Sequence, residues 1–489
     1  MRNMGDYRKS EKIYDGITNI RDDLVDHAQA HKPKKRKKWW PAAAAAVVAA
    51  AIIGTAVLWP GGNPVVTPAY AIATAEYPQM APYPNEMDYT KPNGEFDSDG
   101  FYEAWNAWWE DQNALATNAD WPVLLQGFLT SSTEEFLSGA GTDNLVYSPV
   151  NVYMALAMLA ETTGGNSRQQ ILDLLGEDSI ESLRSSAHAL WGECYRDDGA
   201  VKRILANSLW LNEDVEFVRS TMDTLAQNYY ASSFQGKMGS DELNKALQSW
   251  LNEQTGGLLE EQASQMEMDP DTILALASTI YFQGKWNYEF LPSFTKEGVF
   301  HGASGDTTCD FMHENSMDPY FWGDNFSAIS RNFVWAGSMW FILPDEGVSI
   351  DELLHDGQTM EFLLDPWGWE NQKYLIVNES IPKFDVSSQL DLRAGLRSLG
   401  VTDVFDVVAS DFTPMTQDTD EIYLSQAEHA ARVTIDERGC TAAAFTVMMD
   451  AGGGAPADDE VDFVLDRPFL FVIMADNGLP LFVGVVNQL

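Results

Sequence analysis

The sequence predicts an α+β fold in which early helices pack on later strands. Amphipathic segments of helical period gather in the first half of residues 121–489, whereas alternating or continuous apolar runs gather in the second half. Helices and strands do not alternate along the chain, which argues against a regular βαβ array. Hydrophobic residues make up 45% of the 489 positions, enough for one large core.

The N-terminal region predicts a single membrane anchor. Residues 39–59 form an apolar stretch bracketed by tryptophans, and a Lys/Arg cluster immediately precedes them. The positive-inside rule then makes residues 1–38 cytoplasmic and the rest of the chain extracellular, as in a single-pass cell-membrane protein. The alternative is a cleaved signal peptide, because residues 71–73 and 73–75 resemble cleavage sites. They lie more than ten residues beyond the apolar run, which favours the uncleaved anchor.

Residues 60–120 predict an extracellular linker that carries a short aromatic helix. Seven prolines between residues 60 and 94 favour an extended chain. Residues 102–110 contain three tryptophans at helical spacing and should pack on the domain that follows. Residues 95–100 resemble half a calcium loop, but Asn106 stands where a bidentate Glu is needed, so we expect no metal here.

From Trp121 onward the pattern is that of a globular domain. Helices are expected at residues 148–160, 169–175, 180–191 and 243–253. Strands are expected at residues 204–211, 272–282, 339–343, 374–381 and 469–474.

Charge and cysteine content exclude several functions. The chain has a formal net charge of −43, and its acidic surplus lies after residue 40, so we expect no nucleic-acid partner. Its three cysteines are odd in number and widely spaced, which predicts neither a disulfide framework nor a zinc site.

The most informative stretch is residues 435–468. Residues 439–444 have only small side chains, and residues 450–460 form a Gly/Ala/Pro/Asp run that should be an exposed loop between two strands. On composition alone, a plain acidic surface loop is the alternative.

This stretch resembles the serpins. Glu437, Gly439, Cys440 and the alanines that follow are similar to the hinge of inhibitory members, and residues 463–473 resemble the family's C-terminal signature. The resemblance spans residues 121–489 and extends to residues 144–160, 249–257, 280–286 and 381–385. We expect a bacterial, membrane-anchored member.

The resemblance implies a helical N-terminal half packed on a large central mixed β-sheet, with further sheets and an exposed reactive-centre loop at about 437–462. It implies a monomeric suicide inhibitor that is not an enzyme and has no cofactor. In this implied mechanism the hinge (residues 437–446) lies outside the sheet until a protease cleaves the loop. The hinge then inserts as a strand and traps the acyl-enzyme. The implied hinge residues are Glu437, Gly439, Cys440, Thr441, Ala442, Ala443 and Ala444.

Counting forward from Glu437 by the family's usual hinge length reaches Gly453, and counting back from Pro468 reaches Ala457, so the resemblance implies that the cleaved bond lies between these limits. The candidates are Gly453, Gly454, Ala455 and Ala457. Small residues fit a shallow pocket, so we expect an elastase-like or subtilisin-like serine protease as target, with a cysteine protease as a further possibility. No Lys or Arg lies between Arg438 and Arg467, which argues against trypsin.

Four polar residues form a second implied site, beneath the central sheet where its strands part: Ser148, Asn151, Ser278 and His429. The family usually has Ser at the position of Asn151 and Asn at that of Ser278, and this chain has the two exchanged. The exchange keeps one amide and one hydroxyl, so a buried polar latch can still form.

Two alternatives to the inhibitor differ in kind. A hydrolase is disfavoured, because the chain has no GxSxG, HExxH or phosphate-loop motif. A non-inhibitory surface binding protein of the same fold remains open. A period of two places small residues on the core side of the hinge, beginning with Cys440, which favours the inhibitor.

Overall fold

The computed structural model describes residues 70–117, 119–419, 421–440 and 459–489. These residues belong to one compact unit, Asn63–Leu489. Its helices are α1 (Ser98–Leu115), α2 (Trp121–Leu124), α3 (Gln126–Leu137), α4 (Pro149–Thr162), α5 (Gly165–Leu175), α6 (Ile180–Cys194), α7 (Arg219–Asn228), α8 (Asp241–Gln254), α9 (Glu260–Ser264), α10 (Ile350–Leu354), α11 (Gly357–Leu364) and α12 (Leu392–Ser398).

The strands divide between two sheets. They are β1 (Ala71–Ala73), β2 (Leu145–Tyr147), β3 (Arg196–Asp197), β4 (Lys202–Asn212), β5 (Ala231–Gly236), β6 (Leu274–Lys285), β7 (Lys296–Gly302), β8 (Gly305–Trp322), β9 (Phe326–Phe333), β10 (Gly337–Pro344), β11 (Gln372–Pro382), β12 (Phe384–Asp391), β13 (Glu428–Asp436), β14 (Gly439–Cys440), β15 (Glu460–Val464), β16 (Phe469–Met474) and β17 (Pro480–Val486). The α+β prediction is confirmed, and every helix and strand expected after Trp121 is present.

The central sheet has the order β1-β5-β4-β6-β14-β13-β12, with β3 on β4. It is mixed, because β4 and β5 run parallel and the other pairs run antiparallel. The second sheet has the order β15-β11-β8-β9-β10-β16-β17-β2, with β7 on β8. Its strands β16 and β17 are buried along their whole length, as their unbroken apolar sequences require.

Helix α4 occupies the core. Ser148 caps its first turn by accepting the N–H of Asn151 at 3.3 Å, and Pro149 supplies the first helical residue. Thirteen of its fourteen residues are buried and most of them are apolar, as expected for a helix surrounded by the core.

The segment before Trp121 packs on the domain. Ala71–Ala73 pairs with β5 at Phe234 and Ser233, and the Tyr77 ring lies 5.1 Å from the Trp191 ring. Proline content predicts an extended linker. Local composition carries no information about pairing with β5, an edge strand that lies about 160 residues further along the chain. Asp97 caps α1, and Glu95 pairs with Lys91.

The predicted anchor at 39–59 and the cytoplasmic segment 1–38 lie outside the described residues. Among the helices that the structure describes, none has the length and apolar character to cross a bilayer.

Candidate functional site

The hinge begins inside the central sheet. Strand β13 ends at Asp436, the chain turns, and β14 returns between β6 and β13. Cys440 lies opposite Gly284 on β6 and Ile435 on β13, and its side chain is only 2% exposed. Burial places Cys440 on the core side, as the period of two predicts. The expectation that the whole hinge lies outside the sheet is wrong for Gly439 and Cys440, because both are already paired strand residues.

Gly439 is required where it stands. Its φ of +152° is a conformation that L side chains rarely adopt, and an added Cβ would lie 2.3 Å from the carbonyl oxygen of Gly284. The turn before it is fixed by Asp436, whose carboxylate accepts the backbone N–H groups of Arg438 at 2.8 Å and Gly439 at 3.2 Å. A residue without a side chain therefore lets β14 approach β6.

Glu437 fixes the turn to residues that adjoin other strands. Its carboxylate accepts the hydroxyl of Thr295 at 2.8 Å and pairs with Lys383 at 3.4 Å. Burial alone would raise the pKa of Glu437, but hydrogen bonds from its backbone, Thr295 and Lys383, with the lysine charge, lower it on balance. The Trp286 side chain donates to the carbonyl of Asp436 at 2.9 Å. The start of the hinge is thus held in one geometry.

Below the hinge, β6 and β13 face each other across a slot. Past Gly284, β6 pairs with β4 on one edge, and β13 pairs with β12 on its far edge. Between their facing edges lies a cavity of about 310 Å³, lined by β6, by residues 424–430 and by α4. Two strand edges that face each other can accept an extended chain through backbone hydrogen bonds. The slot therefore has the geometry of a strand-binding site that continues from Cys440.

The four residues of the expected polar latch lie together under this slot. The backbone N–H of Ser148 donates to Nε2 of His429 at 3.0 Å, and the Asn151 amide donates to the carbonyl of Ser278 at 3.3 Å. With the N-cap bond from Asn151 to Ser148, one network joins α4 to both strands that border the slot.

His429 is neutral in this setting. Burial lowers its pKa from 6.5 to about 4, because the imidazolium would lose its hydration. Since Nε2 accepts the Ser148 N–H, the ring proton lies on Nδ1. The imidazole accepts from a backbone amide rather than from a hydroxyl, so this contact activates no nucleophile.

Sequence reasoning missed the extension of the latch. The Ser278 hydroxyl donates to Asn207 at 2.7 Å, and the Asn207 amide donates to the carbonyl of Tyr229 at 2.8 Å. The Tyr229 hydroxyl contacts the carboxylate of Glu161 at 3.0 Å, and Glu161 pairs with Arg184 at 2.6 Å. Two polar residues in apolar surroundings could have indicated this extension: Asn207 within β4 and Glu161 near the end of α4.

The remaining hinge residues, Thr441 to Ala444, and the cleavage candidates Gly453, Gly454, Ala455 and Ala457 lie outside the described residues. The chain is described again from Asp459, and β15 pairs in parallel with β11 from Ile376 to Ser380. In the parts of the chain that the structure describes, no group of three His, Cys, Asp or Glu side chains is placed to hold a metal ion.

Comparison with known proteins agrees with this architecture. Residues 126–489 match the family model described as serpin (serine protease inhibitor). Alpha-1-antitrypsin 1-5 of Mus musculus is 30% identical over 383 residues, which cover 76% of this chain and 88% of the mouse protein. Serpin-ZX of Arabidopsis thaliana is 29% identical over 360 residues, covering 70% of this chain and 91% of the plant protein.

Solved structures show the same fold. The thermophilic serpin tengpin in its native state superposes with a TM-score of 0.67 at 24% identity, over 76% of this chain and 96% of tengpin. The native stressed conformation of Arabidopsis AtSerpin1 gives a TM-score of 0.64 at 26% identity, over 76% of this chain and 99% of AtSerpin1. The order of the elements, the sheet topology and the family match over residues 126–489 lead to one conclusion: the chain belongs to the serpin family.

Proposed function

We propose that this serpin inhibits a serine protease by acting as a suicide substrate. The observation that carries the proposal is the position of Gly439 and Cys440, which are paired between β6 and β13 directly above the open slot. After cleavage in residues 453–457, the hinge continues along the path that these two residues begin. The protease remains attached as an acyl-enzyme and is carried along with the inserted strand.

Insertion is favourable because it completes a sheet. Each backbone hydrogen bond that the hinge forms with β6 or β13 contributes about 1 kcal/mol net, and alternate side chains become buried over α4. Small residues at 442 and 444 fit on the core side beside Cys440. The uncleaved protein must therefore be metastable relative to the inserted form.

The loop composition supports an elastase-like or subtilisin-like target. Gly453, Gly454, Ala455 and Ala457 suit a shallow pocket, and Pro456 lacks the N–H that extended substrate pairing uses. Cleavage at Met448 or Met449 would shorten the inserted strand by at least four residues, roughly 13 Å at strand rise. The protease would then be displaced less far and could complete hydrolysis.

Incubation with pancreatic elastase, subtilisin, chymotrypsin, papain and trypsin tests the proposal. We expect a covalent complex on denaturing gels with elastase or subtilisin, and a released C-terminal fragment that begins within residues 454–458. Trypsin should form no complex. A fragment that begins at or before Met449 in an inhibitory complex would refute the cleavage site. Cleavage by every protease without a complex would favour a non-inhibitory binding protein of the same fold.

We also propose that residues 39–59 anchor the inhibitor domain outside a cell membrane. The sequence alone supports this, through the apolar stretch and the basic cluster that precedes it. Alkaline carbonate extraction should leave the full chain in the membrane fraction, and protease treatment of intact cells should remove the domain. A domain that survives treatment of sealed cells contradicts the orientation.

A further inference from the structure

A groove of about 390 Å³ lies between α1 and the turn that joins β9 to β10. Helix α1 precedes the matched residues 126–489, so one wall of the groove is an addition to the shared fold. The volume lies within the range of small-ligand sites. The groove is separate from the slot and from the latch, whose residues do not line it.

Two tryptophans present their rings to solvent along this groove. Trp109 is 50% exposed and Trp335 is 39% exposed, and the ring centroids of both lie within 6.3 Å of buried Trp108. Trp335 has a φ of +53°, an unfavourable conformation for a bulky residue, and its indole N–H donates to the Tyr83 hydroxyl at 3.1 Å. Trp335 lies in the tight turn between β9 and β10, and its ring packs beside Trp105 and Trp108.

Planar polar side chains surround the rings. Gln112 of α1, Asn287, Asn332 and Asp476 also line the groove. Arg203 engages one carboxylate oxygen of Asp476 at 3.0 Å. Amides and a carboxylate of this kind can each make two hydrogen bonds to neighbouring groups on one ligand.

The charges at the groove are compensated. Arg196, at its base, pairs with Asp198 at 2.7 Å, and Asp476 pairs with Arg203 at 3.0 Å. Each ion is therefore paired, although Nη2 of Arg196 has no hydrogen-bond partner among the described residues. The acidic surplus of the chain further disfavours anions.

We propose that this groove binds a neutral oligosaccharide. A pyranose ring has a flat face of C–H groups that stacks on an exposed indole, and vicinal hydroxyls around its rim that pair with planar amides and carboxylates. Trp109 and Trp335 supply the stacking surfaces, and Asn332 and Asp476 supply hydrogen bonds. The groove would hold the inhibitor at a glycan surface.

A glycan array probed with the full-length protein in phospholipid nanodiscs tests the proposal. Cellobiose, maltose, lactose, mannobiose and N,N′-diacetylchitobiose serve as neutral probes for calorimetric titration, and sialyllactose serves as the charged comparison. We expect binding of at least one neutral glycan, little affected by salt. Trp109→Ala and Asn332→Ala should each weaken it about tenfold or more.

Tyr102→Ala is the matched control, because Tyr102 is a 48% exposed aromatic residue on α1 that does not line the groove. It should bind glycan normally, and all three variants should form protease complexes like the parent protein. The proposal is overturned if no neutral glycan binds, if only the sialylated glycan binds, or if Trp109→Ala and Asn332→Ala leave binding unchanged. Equal loss in Tyr102→Ala would also overturn it.

Discussion

Trp108 of α1 donates its indole N–H to the buried carboxylate of Asp198 at 2.8 Å. The same carboxylate oxygen accepts Nε of Arg196 at 2.7 Å, and the Arg196 guanidinium lies 5.4 Å from the Trp108 ring. The backbone N–H of Tyr83 donates to the Asp198 carbonyl at 2.8 Å. One acidic residue between β3 and β4 thus fastens the N-terminal segment to the domain.

Truncation of Trp108 should destabilise the protein. Trp108→Ala removes a fully buried indole and should lower stability by about 3–5 kcal/mol or release α1 from the domain. Trp109→Ala, one residue along the same helix and half exposed, should change stability by no more than about 0.5 kcal/mol. Thermal unfolding and limited proteolysis of the segment before residue 118 measure both effects. Equal behaviour of the two variants would show that the contact of Trp108 with Asp198 contributes little to stability.

Stability should fall in acid because of His429. Its pKa is about 4 when folded and 6.5 when exposed, so the unfolded chain binds more protons between these values. The contribution of neutral His429 is fully present above pH 6.5 and is lost as the pH falls towards 4, on the order of 3 kcal/mol in all. Unfolding midpoints of the parent and of His429→Gln, measured from pH 7 to pH 4, should converge as the pH falls. A constant difference would contradict the assigned neutral state.

The close approach of Gly439 to Gly284 should control entry of the hinge. Gly439→Ala places a Cβ against the backbone of β6, so β14 should leave the sheet and expose Cys440. In a Cys309→Ser background, maleimide should label Cys440 faster in this variant, and a larger fraction should be cleaved without forming a complex. Gly400→Ala is the control, because Gly400 also has a positive φ, +97°, but has open space around it. Unchanged labelling of Cys440 would show that the contact does not hold the hinge.

Residues on the two faces of the hinge should respond differently to bulk. Cys440 is buried, so the period of two places position 442 on the core side and position 441 on the opposite side. Ala442→Arg should convert the inhibitor into a substrate, because the slot over α4 cannot bury an unpaired charge. Thr441→Arg should retain most of the inhibition. Denaturing gels of each variant incubated with elastase give the fraction of cleaved molecules that form a complex. Similar fractions for the two variants would argue against insertion in this register.

How much of the fold could be predicted depends on how local its determinants are. β16 is apolar along its whole length and α4 along most of it, so composition and period were sufficient. β8 is an 18-residue strand whose residues are mostly exposed or half exposed, and such a pattern gives no clear period. Strand β14 has two residues, and its place depends on Gly284, far away in sequence.

The residues of the candidate site also differ in how far the sequence could predict them. The grouping of Ser148 with His429 was expected only through the family resemblance, and no spacing rule would have paired residues so far apart. Asn207 was missed because it lies in a mostly apolar stretch of β4 and its partner is a hydroxyl on β6. Glu161 was missed because its role depends on Arg184 of α6 and on Tyr229 at the end of α7.

The three residues of β1 have a consequence for the solubility of truncated forms. The central sheet would otherwise end at β5, whose outer backbone groups could pair with any extended chain. The Gln235 N–H instead donates to the Tyr70 carbonyl at 2.8 Å, and Arg219 holds the Ile72 carbonyl at 2.6 Å. A chain that began after residue 75 would keep every residue matched to the serpin family and yet expose a bare edge. Copies of it could then join edge to edge, so the short segment ahead of the domain protects the folded protein against self-association.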